Sequence, residues 1–354
     1  MTRRGRKPGS SNCFVLSLLQ VFHHHEPFVL ESGASLPELE IAYHTYGTLN
    51  ARGDNVIWVC HALTANSEVG VWWNGLTGEG KVWDPQKYFI VCANILGSCY
   101  GTSGPLSVDP QTGKPYFSRF PFITIRDMVK AHMLLRKHLG IERIALLAGG
   151  SMGGYQVLEW ALMEPERVDR LFLITTGASE SAWGIAIHTA QRLAIEADKT
   201  WQDDSPEAGK AGMKAARAIG MLTYRNYQTF VDRQTDPDIH KTDDFRASSY
   251  IIYQGEKLAH RFNAQSYWLL AKAMDSHNIA RGRADNTESV LRTMLQKALI
   301  IGITSDILCP AEEQRFLARN MPASAYYEID SRFGHDGFLI EFERIGKILQ
   351  DWLS

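Results

Sequence analysis

Residues 144–154 read Ile-Ala-Leu-Leu-Ala-Gly-Gly-Ser-Met-Gly-Gly, an apolar run that ends in a Gly-x-Ser-x-Gly. Ile144 to Ala148 has the length and apolarity of a buried strand. From Met152 a helical pattern runs to about Met163 and stops before Pro165. A strand that turns into a helix at a serine is the context a nucleophile elbow requires. The turn is tight, so its neighbours must be small to let strand and helix approach, and Gly149, Gly153 and Gly154 meet that need. The helix N-terminus favours negative charge beside it, which makes the Met152 N–H an oxyanion donor. Ser151 is the candidate nucleophile.

Outward from this stretch, short β-branched runs alternate with helical patterns. Asn55 to His61, Tyr88 to Ile95, Leu171 to Thr175, Leu299 to Thr304 and Ala325 to Ile329 read as strands. Between Ile123 and Leu139, Ile125, Met128, Val129, Met133, Leu134 and Leu135 recur at helical spacing, and Gly140 supplies the stop. The alternation predicts a mostly parallel sheet with helices on both faces. From Ala178 to Thr293 the strand rhythm vanishes and helical stretches replace it, around Ile185 to Glu196, Lys210 to Thr223 and Ala264 to Met274. Residues 178–293 therefore read as a helical cap inserted between two core segments, 25–177 and 294–354. Phe338 to Leu353 reads as a closing amphipathic helix.

The 354 residues are 45% apolar and 21% charged, ample for a buried core. Thirty-seven Lys plus Arg against 39 Asp plus Glu leave a net charge of -2, so no global field favours nucleic acid or an anionic membrane. No run of about 18 apolar residues is present to span a bilayer. The five cysteines (Cys13, Cys60, Cys92, Cys99, Cys309) are an odd, unpaired set, which favours a reducing compartment, the cytoplasm. Residues 1–24 form an N-terminal extension that is expected to be poorly ordered. Arg3, Arg4, Arg6 and Lys7 precede an apolar Cys13 to Phe22, as in a signal peptide, but no small-residue cleavage site follows. His23, His24 and His25 read as solvated rather than metal-binding.

A serine hydroxyl needs a base to take its proton and a carboxylate to orient that base. Asp306 directly follows the strand Leu299 to Thr304, and His335 lies in a Gly334-flanked loop after the next strand. The chain order Ser, acid, His then places all three at the carboxyl edge of the sheet. Asp330 and Asp336 are the competing acids, one ending a strand five residues before His335 and the other adjoining it. A second oxyanion donor belongs in the loop after an earlier strand, where His61-Ala62-Leu63-Thr64 falls. The Leu63 N–H is the candidate, with His61 a structural residue beneath the loop.

Taken with Leu30 to Gly33, Tyr43 to Asn50, Asn94 to Pro105, Thr304 to Asp306 and Gly334 to Leu339, these residues resemble the homoserine O-acetyltransferase family over nearly all of the chain after residue 25. The resemblance implies an α/β-hydrolase fold with a helical cap, and acyl transfer from acetyl-CoA to the hydroxyl of L-homoserine in methionine biosynthesis. It implies Ser151, Asp306 and His335 as the triad, and Leu63 and Met152 as oxyanion donors. It further implies Arg225 as the grip on the acceptor carboxylate and Asp336 as the partner of its ammonium, with Arg217, two helical turns earlier, as the alternative grip. No metal or bound cofactor is called for, acetyl-CoA being a co-substrate, and a homodimer is implied. A serine acceptor, a succinyl donor or a plain esterase remain the rival readings. Ser276-His277-Asn278 departs from the family pattern, in which an acid is expected at Asn278.

Overall fold

The computed structural model describes residues 17–354. Eight strands form one sheet: β1 (Gln20–His24), β2 (Leu39–Tyr46), β3 (Val56–Cys60), β4 (Phe89–Ala93), β5 (Ile144–Gly150), β6 (Arg170–Ile174), β7 (Lys297–Ile303) and β8 (Ser324–Ile329). Their spatial order is β1-β2-β4-β3-β5-β6-β7-β8. Strand β2 runs antiparallel to both neighbours, and the pairs from β4 to β8 are parallel. The sequence reading has six of these strands and omits β1 and β2. The expected disordered extension, 1–24, is corrected at its end: Gln20–His24 pairs with Leu39–Tyr43 as the sheet's edge. The signal-like stretch lies largely outside the described residues.

Alternation along the strands divides the core. Trp58, Cys60, Val91, Leu147, Leu171, Leu173 and Ile300 face α1 (Ile125–His138) and α2 (Met152–Met163), packing on Met128, Val129, Val157 and Trp160. Ile57, Val59, Ile90, Leu146, Phe172, Ile174 and Ile301 face the opposite way, onto Trp73, Trp83, Phe338, Ile345 and Leu349. Helix α1 starts at a capping box between Thr124 and Asp127.

The insertion carries α3 (Ala182–Glu196), α4 (Lys210–Tyr224), α5 (Tyr227–Gln234), α6 (Arg246–Ala259), α7 (Ala264–Asp275) and the short α8 (Thr287–Leu291). Its two stems meet in an antiparallel bridge between Ser179 and Asn278, so the helical excursion spans 182–275 and the chain beyond it rejoins the core. Asn278 works in this stem: its side chain accepts from Ala280 N and its carbonyl from Arg126. Helix α9 (Ala311–Asn320) follows β7, and α10 (Phe342–Leu353) ends the chain. The closing helix thus begins at Phe342, because Gly334–Leu339 forms a 3-10 segment of its own.

Candidate active site

Ser151 stands between β5 and α2 with φ 55° and ψ −130°. A side chain at positive φ is strained by about 1–3 kcal/mol and must be held by its surroundings. Ser151 N–H donates to Ile174 O at 3.1 Å, while Gly154 N–H and the Thr176 hydroxyl donate to Ser151 O at 2.8 and 2.9 Å. The glycines do what the motif requires: a Cβ on Gly153 would fall inside the van der Waals shell of the Cys60 carbonyl oxygen. Gly153→Ala is expected to cost about 3 kcal/mol, since the clash is with backbone. Thermal unfolding should show a drop of about 4 °C in Tm.

His335 Nε2 lies 2.9 Å from Ser151 Oγ, and Nδ1 lies 2.7 Å from Asp306 Oδ2. The other carboxylate oxygen of Asp306 accepts the N–H groups of Leu308 and Cys309 at 2.8 and 2.9 Å, which fixes its plane. A proton on Nδ1 then donates to Asp306 and leaves Nε2 to accept from the serine, as a general base requires. The loops are tied together by Ser305, whose hydroxyl accepts from Gly334 N and donates to Ser331 O. Burial disfavours a charged His335, but the charge and hydrogen bond of Asp306, aided by Asp336 and Glu313, raise its pKa above the usual value. Of the rival acids, Asp330 accepts from the Thr304 hydroxyl and Asp336 pairs with Arg225; neither hydrogen-bonds His335.

Leu63 and Met152 N–H groups donate to no protein acceptor among the described residues, so both remain free for an oxyanion. His61 is structural as expected: Nδ1 donates to Ala62 O at 2.9 Å and Nε2 accepts from Ile95 N at 3.1 Å. Full burial pushes its pKa down to about 4, so it stays neutral. The quoted motifs converge beneath this loop. Asn94 accepts from Ser67 N and donates to Ser67 Oγ and Tyr100 O, and His44 Nδ1 lies 2.7 Å from Ser67 Oγ.

The residues expected to bind the acceptor are arranged differently from a simple pair of hands. Arg225 Nη1 lies 2.8 Å from Asp336 Oδ2, and Arg225 Nε donates to Tyr250 OH. Arg217 has no hydrogen bond or ion pair among the described residues. Its guanidinium sits 5.2 Å from the Tyr224 ring centroid, and that ring stacks on His335 at 5.7 Å. Tyr224 lies in the Leu222-Thr223-Tyr224-Arg225 stretch but receives no role from sequence reading, and Glu180 and Glu313, acids that become neighbours only through the fold, are missed. Glu313 is pushed up to about 8, by burial first and then by Glu180 and Asp306.

The alpha/beta hydrolase fold family matches residues 55–342. Homoserine O-acetyltransferase of Cyclobacterium marinum is 50% identical over 333 residues, 94% of either chain. That of Chlorobium chlorochromatii is 46% identical over 93% of this chain and 94% of its own. Among solved structures, homoserine O-acetyltransferase from Bacillus anthracis superposes with a TM-score of 0.88 at 24% identity, covering 96% of this chain and 98% of its own. Esterase E22 superposes at 0.86 with 22% identity, covering 96% and 100%, so the architecture alone does not separate the two activities. Sequence identity does separate them: this chain belongs to the homoserine O-acetyltransferase family of α/β-hydrolase-fold proteins.

Proposed function

We propose that the protein transfers an acetyl group from acetyl-CoA to the side-chain hydroxyl of L-homoserine in two steps. His335 takes the Ser151 proton as the oxygen attacks the thioester carbonyl, and the Leu63 and Met152 amides hold the oxyanion. The C–S bond breaks, His335 returns its proton to sulfur, and CoA leaves. Homoserine then gives its hydroxyl proton to His335 and attacks the acyl-serine, whose C–O bond breaks as Ser151 regains a proton. Transfer must outrun hydrolysis, and the cap helices favour it by excluding water and holding the acceptor close.

The observation that carries this reading is Arg217, a cation without an ion-pair partner among the described residues, one aromatic ring away from the catalytic base. A plain esterase has no use for it, whereas an amino-acid acceptor needs a bidentate partner for its carboxylate. We assign that grip to Arg217, because Arg225 is already neutralised by Asp336. Asp336 meets the ammonium, and Arg225 orients Asp336. The reading places the enzyme in the cytoplasm, where its thiols stay reduced. A homodimer belongs to the same reading, so sedimentation should report one; Leu222, Tyr227 and Ile252 are exposed apolar residues on the cap.

Thiol release from acetyl-CoA and succinyl-CoA, each with homoserine and with serine, tests the substrates. Acetyl-CoA with homoserine should be fastest; faster turnover with succinyl-CoA or serine, or no acceleration by homoserine, would sink the reading. Arg217→Ala should raise the homoserine KM about 100-fold, the worth of charge-assisted hydrogen bonds, with serine acylation nearly unchanged. Arg225→Ala should raise it about 10-fold, because only the placement of Asp336 suffers. The reverse ranking would return the carboxylate to Arg225.

A further inference from the structure

We propose that Arg261, a residue of the cap, latches the tip of the oxyanion loop and so acts as a positioning residue for serine acylation. The proposal rests on the acyl-enzyme reading above and adds a residue to it. Arg261 follows α6, where the chain turns toward α7, and its Nη1 donates to Thr64 O at 2.6 Å and Tyr100 OH at 2.7 Å. Thr64 is the residue after Leu63, whose N–H is the second oxyanion donor.

The rest of the loop is fastened from below, by the core. His61 is held by Ile95 N and by Gln156, which donates to His61 O; Ala65 N donates to Ala62 O; and Ser67 N donates to Asn94. The tip is different. Among the described residues the Thr64 carbonyl accepts from Arg261 and from no other group, and the Leu63 amide must stay free for substrate. Among the described residues the tip is closed locally by the Ala65 N to Ala62 O turn bond, and the hydrogen bond that ties Thr64 to another element comes from the cap.

Neighbouring contacts strengthen the junction. Tyr100 packs its ring edge-on to Phe262 at 5.7 Å, and the Cys99 thiol lies 3.9 Å from Arg261 O. Tyr100 is anchored in turn through its carbonyl, which accepts from Asn94. The guanidinium thus bridges two core loops from above, and a seated cap adds to the turn's own restraint on the aim of the Leu63 N–H. Oxyanion stabilisation depends on donor aim, and losing a donor outright costs about 10²–10³ in rate. Loosening one of two donors should cost less.

The test uses the full chain and p-nitrophenyl acetate, following the burst of p-nitrophenolate, together with the affinity of a trifluoromethyl ketone that forms an oxyanion adduct on Ser151. Arg261→Ala should slow the burst about 20-fold and weaken the ketone by a similar factor, with the ester KM within about 2-fold. Arg261→Lys, which keeps a donor, should recover most of the rate, and Tyr100→Phe should lose about 3-fold. Should Arg261→Ala fold poorly, these two variants carry the comparison. A purely structural role would lower Tm and the active fraction while leaving the ratio of ketone affinity to KM untouched, and that result overturns the proposal. So does a burst rate in Arg261→Ala within about 2-fold of the wild type. A wild-type enzyme with no burst overturns the acyl-enzyme reading, and the latch with it.

Discussion

Changing Ser151 to alanine should reduce acetyl transfer by about 10⁴- to 10⁶-fold and abolish the acyl-enzyme in a mass spectrum after mixing with acetyl-CoA. The size of the loss follows from the geometry. Ser151 Oγ is the atom 2.9 Å from His335 Nε2, and no other hydroxyl hydrogen-bonds that imidazole among the described residues. The residue left behind retains the oxyanion donors and the acceptor site, so slow water-mediated turnover is all that remains. Binding of CoA and homoserine should persist, and calorimetry on the inactive variant would show it. Glycine at the same position separates strain from chemistry. Ser151 is held at φ 55°, which glycine adopts without penalty. Ser151→Gly should therefore be as inactive as alanine yet about 1 kcal/mol more stable than the alanine variant, read from paired unfolding curves. Equal stability would show that the elbow stores no strain. Residual activity above about one part in 10³ would mean that another nucleophile serves.

That serine was legible because a nucleophile elbow is a local device: strand, tight turn and helix are consecutive, and glycine is needed where backbone meets backbone. The same holds for Asp306, just past the end of β7, and for His335, in the loop and 3-10 segment that follow β8. Their partnership was read from chain order, whereas the distances come from the parallel pairing of β7 with β6 and β8. Strands β1 and β2 went unread for a physical reason. Gln20–His24 is an edge strand with exposed and half-exposed residues, and Leu39–Tyr46 carries Glu40, His44 and Thr45 among its apolar positions. Neither has the continuous apolar run of a strand buried on both faces. Helix α6 was missed on similar grounds, with few buried positions between Arg246 and Ala259.

The site's cationic chemistry was least legible. Arg217 and Arg225 are one type of residue in one stretch, and only their partners tell them apart. Asp336 occupies Arg225, and Tyr224 lies beneath Arg217. Arg261 was beyond sequence reading altogether, since its contact with Thr64 spans 197 positions of chain. Long-range hydrogen bonds of this kind leave no local period. The motif residues Asn94 and Tyr100 could be quoted from the sequence, but their task of holding the oxyanion loop emerges only once β2, β3 and β4 lie side by side.

Replacing Asp306 with asparagine should lower the rate about 10⁴-fold while preserving the shape of the site, because the amide can keep the carboxylate's position but not its charge. The amide oxygen would still accept from Leu308 and Cys309 N–H, directing its NH₂ toward His335 Nδ1. Nδ1 would then have to accept, the proton would move to Nε2, and the base would face Ser151 with its lone pair occupied. The pH dependence checks this account independently of the rate. In the native enzyme, activity needs neutral His335 and is lost as pH falls through a pKa that Asp306 holds above its ordinary value against the effect of burial. Removing the negative charge leaves burial with less opposition, so the acid limb of kcat/KM in Asp306→Asn should move to lower pH. A limb that stays in place would show that Asp306 does not set the basicity of His335.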